Sequence, residues 1–78
     1  MRTVAEARRR AEHERTRAAT PADHAYAQGW RDAVDILPEG VDLLRQVLIQ
    51  TSAAASDSPL EQAHMHGMRL AAEWIIEK

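Results

Sequence analysis

The chain has 78 residues, contains no cysteine and carries a net charge of -2. This length suits one domain near the lower limit at which a core is stable without disulfides or metal, and chains of this size often rely on a partner subunit. The lack of cysteine excludes disulfide and thiolate chemistry, and no apolar run approaches the length that spans a membrane. We therefore expect a cytoplasmic protein with no membrane contact.

The first element is predicted to be a basic helix from about Val4 to Ala18, which Thr3 and Glu6 start as a capping box. Residues 1–19 hold six arginines against three glutamates, a charge of +3, and their apolar stripe is mostly alanine. We expect a loosely docked arm on a core of residues 20–78. Its possible nucleic-acid contacts are Arg8, Arg9, Arg10, Arg15 and Arg17. The alternative is a solvated, ion-paired face.

An internal repeat follows, in which residues 20–37 (TPADHAYAQGWRDAVDIL) correspond to residues 58–75 (SPLEQAHMHGMRLAAEWI). Each copy opens with a hydroxyl residue, then a proline, and has an acidic residue three positions after the hydroxyl. This pattern is typical of a helix start, because the hydroxyl and the acid accept free amides and proline needs no donor there. We predict helices that end by Leu37 in the first copy and at about Glu77 in the second.

Gly29 and Gly67 fall at the same place in the two copies, inside the predicted helices. A glycine there costs about 0.5–1 kcal/mol relative to alanine, and close approach of another helix backbone is the reason that best offsets this cost. The line of small residues on these faces is Ala25, Gly29, Ala33, Ala63, Gly67 and Ala71. We predict that the two helices cross there, within one chain or between chains. The alternative is two unrelated glycines that coincide by chance.

Between the copies, the sequence predicts a tight corner at residues 38–40 and a third helix from about Val41 to Thr51. This helix is the most apolar segment, so we expect it at the centre of the core. Residues 53–58 predict a loop before the last helix, although residues 53–55 could instead extend the third helix. The fold class is therefore all-α: a small four-helix domain of two helical hairpins, in which the repeat is compatible with pseudo-two-fold symmetry.

The last helix carries a second apolar stripe about a quarter-turn from the first, and the second helix carries a weaker version of it. A second stripe indicates burial elsewhere, most simply against another subunit or a target protein. The predicted partner or oligomer interface consists of Trp30, Val34, Met65, Met68, Ala72 and Ile76. The alternative is that the neighbouring helices of the same small bundle cover this stripe.

No motif for DNA binding, metal binding or catalysis is complete in this sequence. A helix-turn-helix needs an apolar residue where this chain has Asp35 and Glu73. Glu61 and His64 make one Glu-x-x-His pair, but a di-iron site needs two such pairs and further carboxylates. The sequence has no nucleophile with a base and no phosphate-binding glycine loop. We therefore predict no enzyme activity, no metal site and no cofactor.

These patterns favour a non-catalytic helical interaction module, a small accessory protein of adaptor or inhibitor type. We expect it to form a homo-oligomer through apolar helix faces and to bind a protein target. We also predict that His64 is hydrogen-bonded at a helix contact. One alternative is nucleic-acid association through the basic first helix. Another is capture of a small ligand between helices near Tyr26 and His64.

Overall fold

The computed structural model describes residues 2–53 and 57–77. Within these ranges the chain forms four α-helices and no strand. They are α1 (Val4–Arg17), α2 (Pro21–Ile36), α3 (Val41–Ala53) and α4 (Pro59–Ile76), with a short 3-10 helix at Leu37–Glu39 between α2 and α3. The predicted all-α class with two helical hairpins is confirmed. Of the predicted loop at residues 53–58, Ala53 is instead the last residue of α3, residues 54–56 lie outside the described part, and residues 57–58 are not helical.

The helix starts form by the predicted hydrogen bonds. The hydroxyls of Thr3, Thr20 and Ser58 each accept the backbone N–H of the acidic residue three positions later, at 3.1–3.3 Å. These contacts satisfy amides that have no partner inside the helix. The corner after α2 ends at Gly40, whose φ of 125° is a conformation that favours glycine.

The two repeat helices, α2 and α4, form the centre of the molecule and make its most extensive contact. Their facing sides bury Trp30, Ala33, Ala71 and Ile75. Because alanine and glycine line much of this contact, the two helix backbones come close and the larger side chains fill the space beside the crossing. The core is therefore built on the repeat.

The basic helix α1 packs against α2 through Ala7 and Ala11, both of which are buried. The backbone N–H of Arg2 also donates to the carbonyl of Ile75 at 2.9 Å, which joins the start of α1 to the end of α4. The helix therefore lies along the core surface. How firmly it is held there stays a prediction.

The third helix lies at the edge, against α4, with little contact to α2. Among the described side chains of α3, only Leu44 is fully buried, while Leu43 is 42% and Ile49 68% exposed. The prediction that this helix occupies the centre of the core is wrong. The physical reason is that the small residues of α2 and α4 allow those two helices to meet directly, which leaves α4 as the main neighbour of α3.

Candidate interaction surfaces

The glycines mark the point where α2 and α4 cross within one chain. A Cβ built on Gly29 would overlap the carbonyl oxygen of His64 and lie 2.8 Å from the amide nitrogen of Met68. A Cβ on Gly67 would overlap the carbonyl oxygen of Tyr26. Tyr26 and His64 each stand three residues before the glycine of their own helix, so the two copies make the same contact in both directions. The crossing is therefore pseudo-two-fold.

The alanines beside the glycines differ in burial. Ala33 and Ala71, one turn after each glycine, are fully buried, while Ala25 and Ala63, one turn before, are partly exposed. The glycines and the two alanines after them are therefore buried where α2 meets α4, and we call this contact the central joint. It offers little surface to another molecule.

A polar contact ties the same two helices together beside the crossing. The His64 Nε2 and Asp32 Oδ2 atoms lie 2.5 Å apart, and Gln28 donates to the other oxygen of Asp32 at 2.8 Å. Both the histidine and the aspartate side chains are about one-third exposed (32% and 36%). The structure thus confirms a hydrogen-bonded His64 at a helix contact. Tyr26, which was grouped with His64 as a ligand contact, has its ring 5.7 Å from that of His66.

Part of the predicted partner interface is wrong. Trp30, Val34 and Ala72 are buried inside the chain and cannot face another molecule. The other members, Met65, Met68 and Ile76, are partly exposed. Of these three, Ile76 lies next to α3, where a shallow pocket formed by Leu48, Glu73, Ile76 and Glu77 spans the two helices. The bundle therefore covers three of the six predicted interface residues fully and the other three in part.

The largest apolar side chains that remain exposed lie on α3 and at the start of α4. Leu43 and Ile49 flank the line of Leu44 and Leu48 on either side, as expected for a helix with 100° per residue. Leu60, in the first turn of α4, is exposed as well. Sequence reasoning did not single out this outer face of α3. The sequence did contain a signal for it: Leu43 and Ile49 make the apolar stripe of α3 wider than one neighbouring helix can cover.

The arginines of α1 separate into two groups. Arg10 and Arg17 lie 3.0 and 3.9 Å from the buried carboxylate of Glu14, and Arg15 lies 2.6 Å from Glu12. The Arg10 guanidinium also lies over the rings of Trp30 and Trp74, at 4.9 and 5.6 Å from their centroids. Arg10 is therefore part of the packing. In the described part of the chain, Arg8 and Arg9 are the predicted nucleic-acid contacts without an acidic partner.

A groove with a volume of about 460 Å³ runs between α1 and α2. It is lined by Arg8, Ala11, Glu12, Arg15, His24, Ala27, Gln28, Arg31, Val34 and Asp35. The hydrogen bond from Arg15 lowers the pKa of the Glu12 carboxyl, and the charges of Arg15 and Arg31 lower it further. Arg31 of α2 therefore acts electrostatically across the groove on α1. Sequence reasoning missed this site, because the repeat placed Arg31 on a solvent face without a neighbour.

The described residues contain no group of three histidine, aspartate or glutamate side chains that would hold a metal ion. None of their helices combines the length and apolar character needed to cross a bilayer. Comparison of the chain with family models, with curated proteins and with solved structures finds no match. The assignment of a function therefore rests on the surfaces described above.

Proposed function

We propose that the chain is a non-catalytic helical interaction module that self-associates through the outer face of α3. The observation that carries this proposal is the exposure of Ile49 (68%) and Leu43 (42%) on a helix that one neighbour covers along one side. Removing such side chains from water contributes roughly 25 cal/mol per Å² of apolar area buried. In a domain with few large core side chains, burial of this face by a second subunit would add substantially to stability.

The charge on the outer face of α3 suits a second copy of the same chain. Asp42 and Arg45 lie 3.9 Å apart and compensate each other, and the other exposed polar side chains of α3, Gln46, Gln50 and Ser52, are neutral. A two-fold dimer places one patch against its own copy, so a patch with net charge would repel itself. This patch carries none. Two α3 helices can therefore pack together with their leucine and isoleucine side chains between them.

The use of the polar side chains in capping and helix contacts supports the non-catalytic part of the proposal. The hydroxyls of Thr20 and Ser58 accept helix-start amides, and the His64 ring is held by Asp32. An adaptor or inhibitor role toward a protein target would use the same face of α3. The cytoplasmic location expected from the cysteine-free sequence remains part of the proposal.

Nucleic-acid association is the second candidate, favoured by Arg8 and Arg9 alone. Arg10, Arg15 and Arg17 are paired with carboxylates, which a phosphate would have to displace. Binding through the two remaining arginines would weaken as the salt concentration rises, because phosphate contacts release condensed counterions. Absence of binding to a generic DNA or RNA probe at low salt would remove this candidate.

Sedimentation equilibrium over a wide range of protein concentration tests self-association. We expect the wild type to double its mass as concentration rises and Ile49→Glu to remain a monomer with unchanged helix content. Ala22→Glu is the matched control, because it adds the same charge at an exposed position of α2, away from the outer face of α3, and should still dimerise. A wild type that is monomeric at every concentration would contradict the proposal.

A further inference from the structure

The groove between α1 and α2 has an apolar floor and charged walls. Ala11, Ala27 and Val34, which form the floor, are small or β-branched and buried. Its volume of about 460 Å³ lies within the range of pockets that hold small organic molecules, roughly 300–1,000 Å³. These three side chains carry no hydrogen-bonding group, and each is less than one-tenth exposed at the base of the groove. A ligand that lies on it therefore needs an apolar body.

The walls carry an excess of one positive charge. Arg15 is held by both oxygens of Glu12, at 2.6 and 3.1 Å, and this pair is neutral. The remaining charged side chains of the groove are Arg8 on α1, Arg31 on α2 and the carboxylate of Asp35, which together carry a charge of +1. In the described ranges, neither of these two arginines has an acidic atom within 4.0 Å. Their guanidinium groups are free to bind an anion, and arginine binds carboxylates with two parallel hydrogen bonds.

We propose that this groove binds a small amphipathic organic anion, with a flat apolar body on the alanine floor and one carboxylate held by Arg8 and Arg31. A bare inorganic anion would leave the floor wet, and a nucleic-acid backbone would bring several phosphates against Glu12 and Asp35. The single excess charge matches a single acidic group. The site is independent of the outer face of α3, which lies on another helix.

Binding of 2-naphthoate, followed by calorimetry and by backbone amide shifts, tests this assignment. We expect saturable one-to-one binding with the largest shifts at Ala11 and Ala27. Arg8→Gln and Arg31→Gln should each weaken binding about tenfold, the effect of losing a hydrogen bond to a charged group. Arg9→Gln is the matched control, because it removes the same charge from the outer side of α1, and it should bind like the wild type.

Further probes separate this site from other modes of binding. Ile49→Glu should bind 2-naphthoate normally, since the probe does not use α3. Inorganic phosphate should not saturate the protein, and 2-naphthalenemethanol, which lacks the charge, should bind much more weakly. The proposal is overturned by lack of saturation, by equal losses in Arg9→Gln and Arg31→Gln, or by phosphate binding as tightly as 2-naphthoate. A single-stranded oligonucleotide that binds more tightly with the same arginine dependence would overturn it in favour of nucleic acid.

Discussion

The carbonyl oxygen of Tyr26 lies against Gly67, in the space that a Cβ would occupy. The same contact recurs in reverse, where the carbonyl of His64 lies against Gly29. Backbone atoms at such close approach cannot move aside as the end of a flexible side chain can. The joint between α2 and α4 therefore depends on the absence of a side chain at both places.

Gly67→Ala should destabilise the protein, although alanine is the better helix former. The added methyl group meets backbone atoms of Tyr26, and overpacking of this kind costs typically 1–3 kcal/mol, more than the roughly 1 kcal/mol that alanine gains by propensity. Gly29→Ala should have a similar effect. Urea unfolding measures both. Ala22→Gly, at an exposed position of α2, measures how much an alanine-to-glycine change costs that helix where no other helix is in contact. If Gly29→Ala or Gly67→Ala were more stable than the wild type, the two helices would not meet at the glycines.

Leu44→Ala should cost about 2–5 kcal/mol of unfolding free energy, because it removes the fully buried side chain that fixes α3 to the core. Its neighbour supplies the control. Leu43→Ala removes the same atoms from a half-exposed position and should cost less than about 1 kcal/mol. Chemical denaturation of the two variants makes the comparison. Equal losses would mean that α3 is packed on both sides.

The contact between Asp32 and His64 should contribute roughly 1 kcal/mol, the usual net value of an intramolecular hydrogen bond, because both side chains remain partly exposed. A double-mutant cycle of Asp32→Asn and His64→Gln, measured by urea unfolding, isolates this energy. Asp35→Asn, on the exposed side of the same helix, serves as the control for loss of a carboxylate. Additive effects of the two substitutions would show that the side chains do not interact.

Arg10→Gln should lower stability by about 1–2 kcal/mol and change the tryptophan fluorescence. The substitution removes the guanidinium that lies over Trp30 and leaves the buried carboxylate of Glu14 without its nearest partner. Arg9→Gln removes the same charge from an exposed position and should stay within about 0.5 kcal/mol of the wild type. Thermal unfolding followed by fluorescence compares the pair. Identical melting curves would place Arg10 in solvent.

Acid should loosen the start of α2. The amides of Ala19 and Thr20 donate to the Asp23 carboxylate, which holds its pKa below the ordinary value. The unfolded chain then takes up this proton at higher pH than the folded chain. The stabilisation by Asp23 is present above about pH 4 and is lost as the pH falls through the lower folded value. Amide shifts of Ala19 measured against pH should follow this titration, and Asp23→Asn should abolish it. A titration at the ordinary pKa would contradict the contact.

Local patterns predicted the helix starts and the glycine crossing well, because caps and a missing side chain act over one or two turns. The position of α3 could not be predicted from its composition. Leu43, Leu44 and Ile49 are all large apolar residues, and only the packing of the other helices decides which of them is covered. Trp30 was misplaced for a similar reason: the same face of α2 can meet another subunit or, as it does, α1 and Trp74 of the same chain.

The one-sided attachment of α3 divides the molecule into parts that open at different free energies. We expect the central joint to protect the amide protons of α2 and α4, and those of α3 to exchange with solvent once Leu44 leaves its site. A second copy bound to the outer face of α3 would have to dissociate before that opening occurs. Protection of the third helix against hydrogen exchange would then rise with protein concentration, which makes assembly and the local order of one helix a single equilibrium.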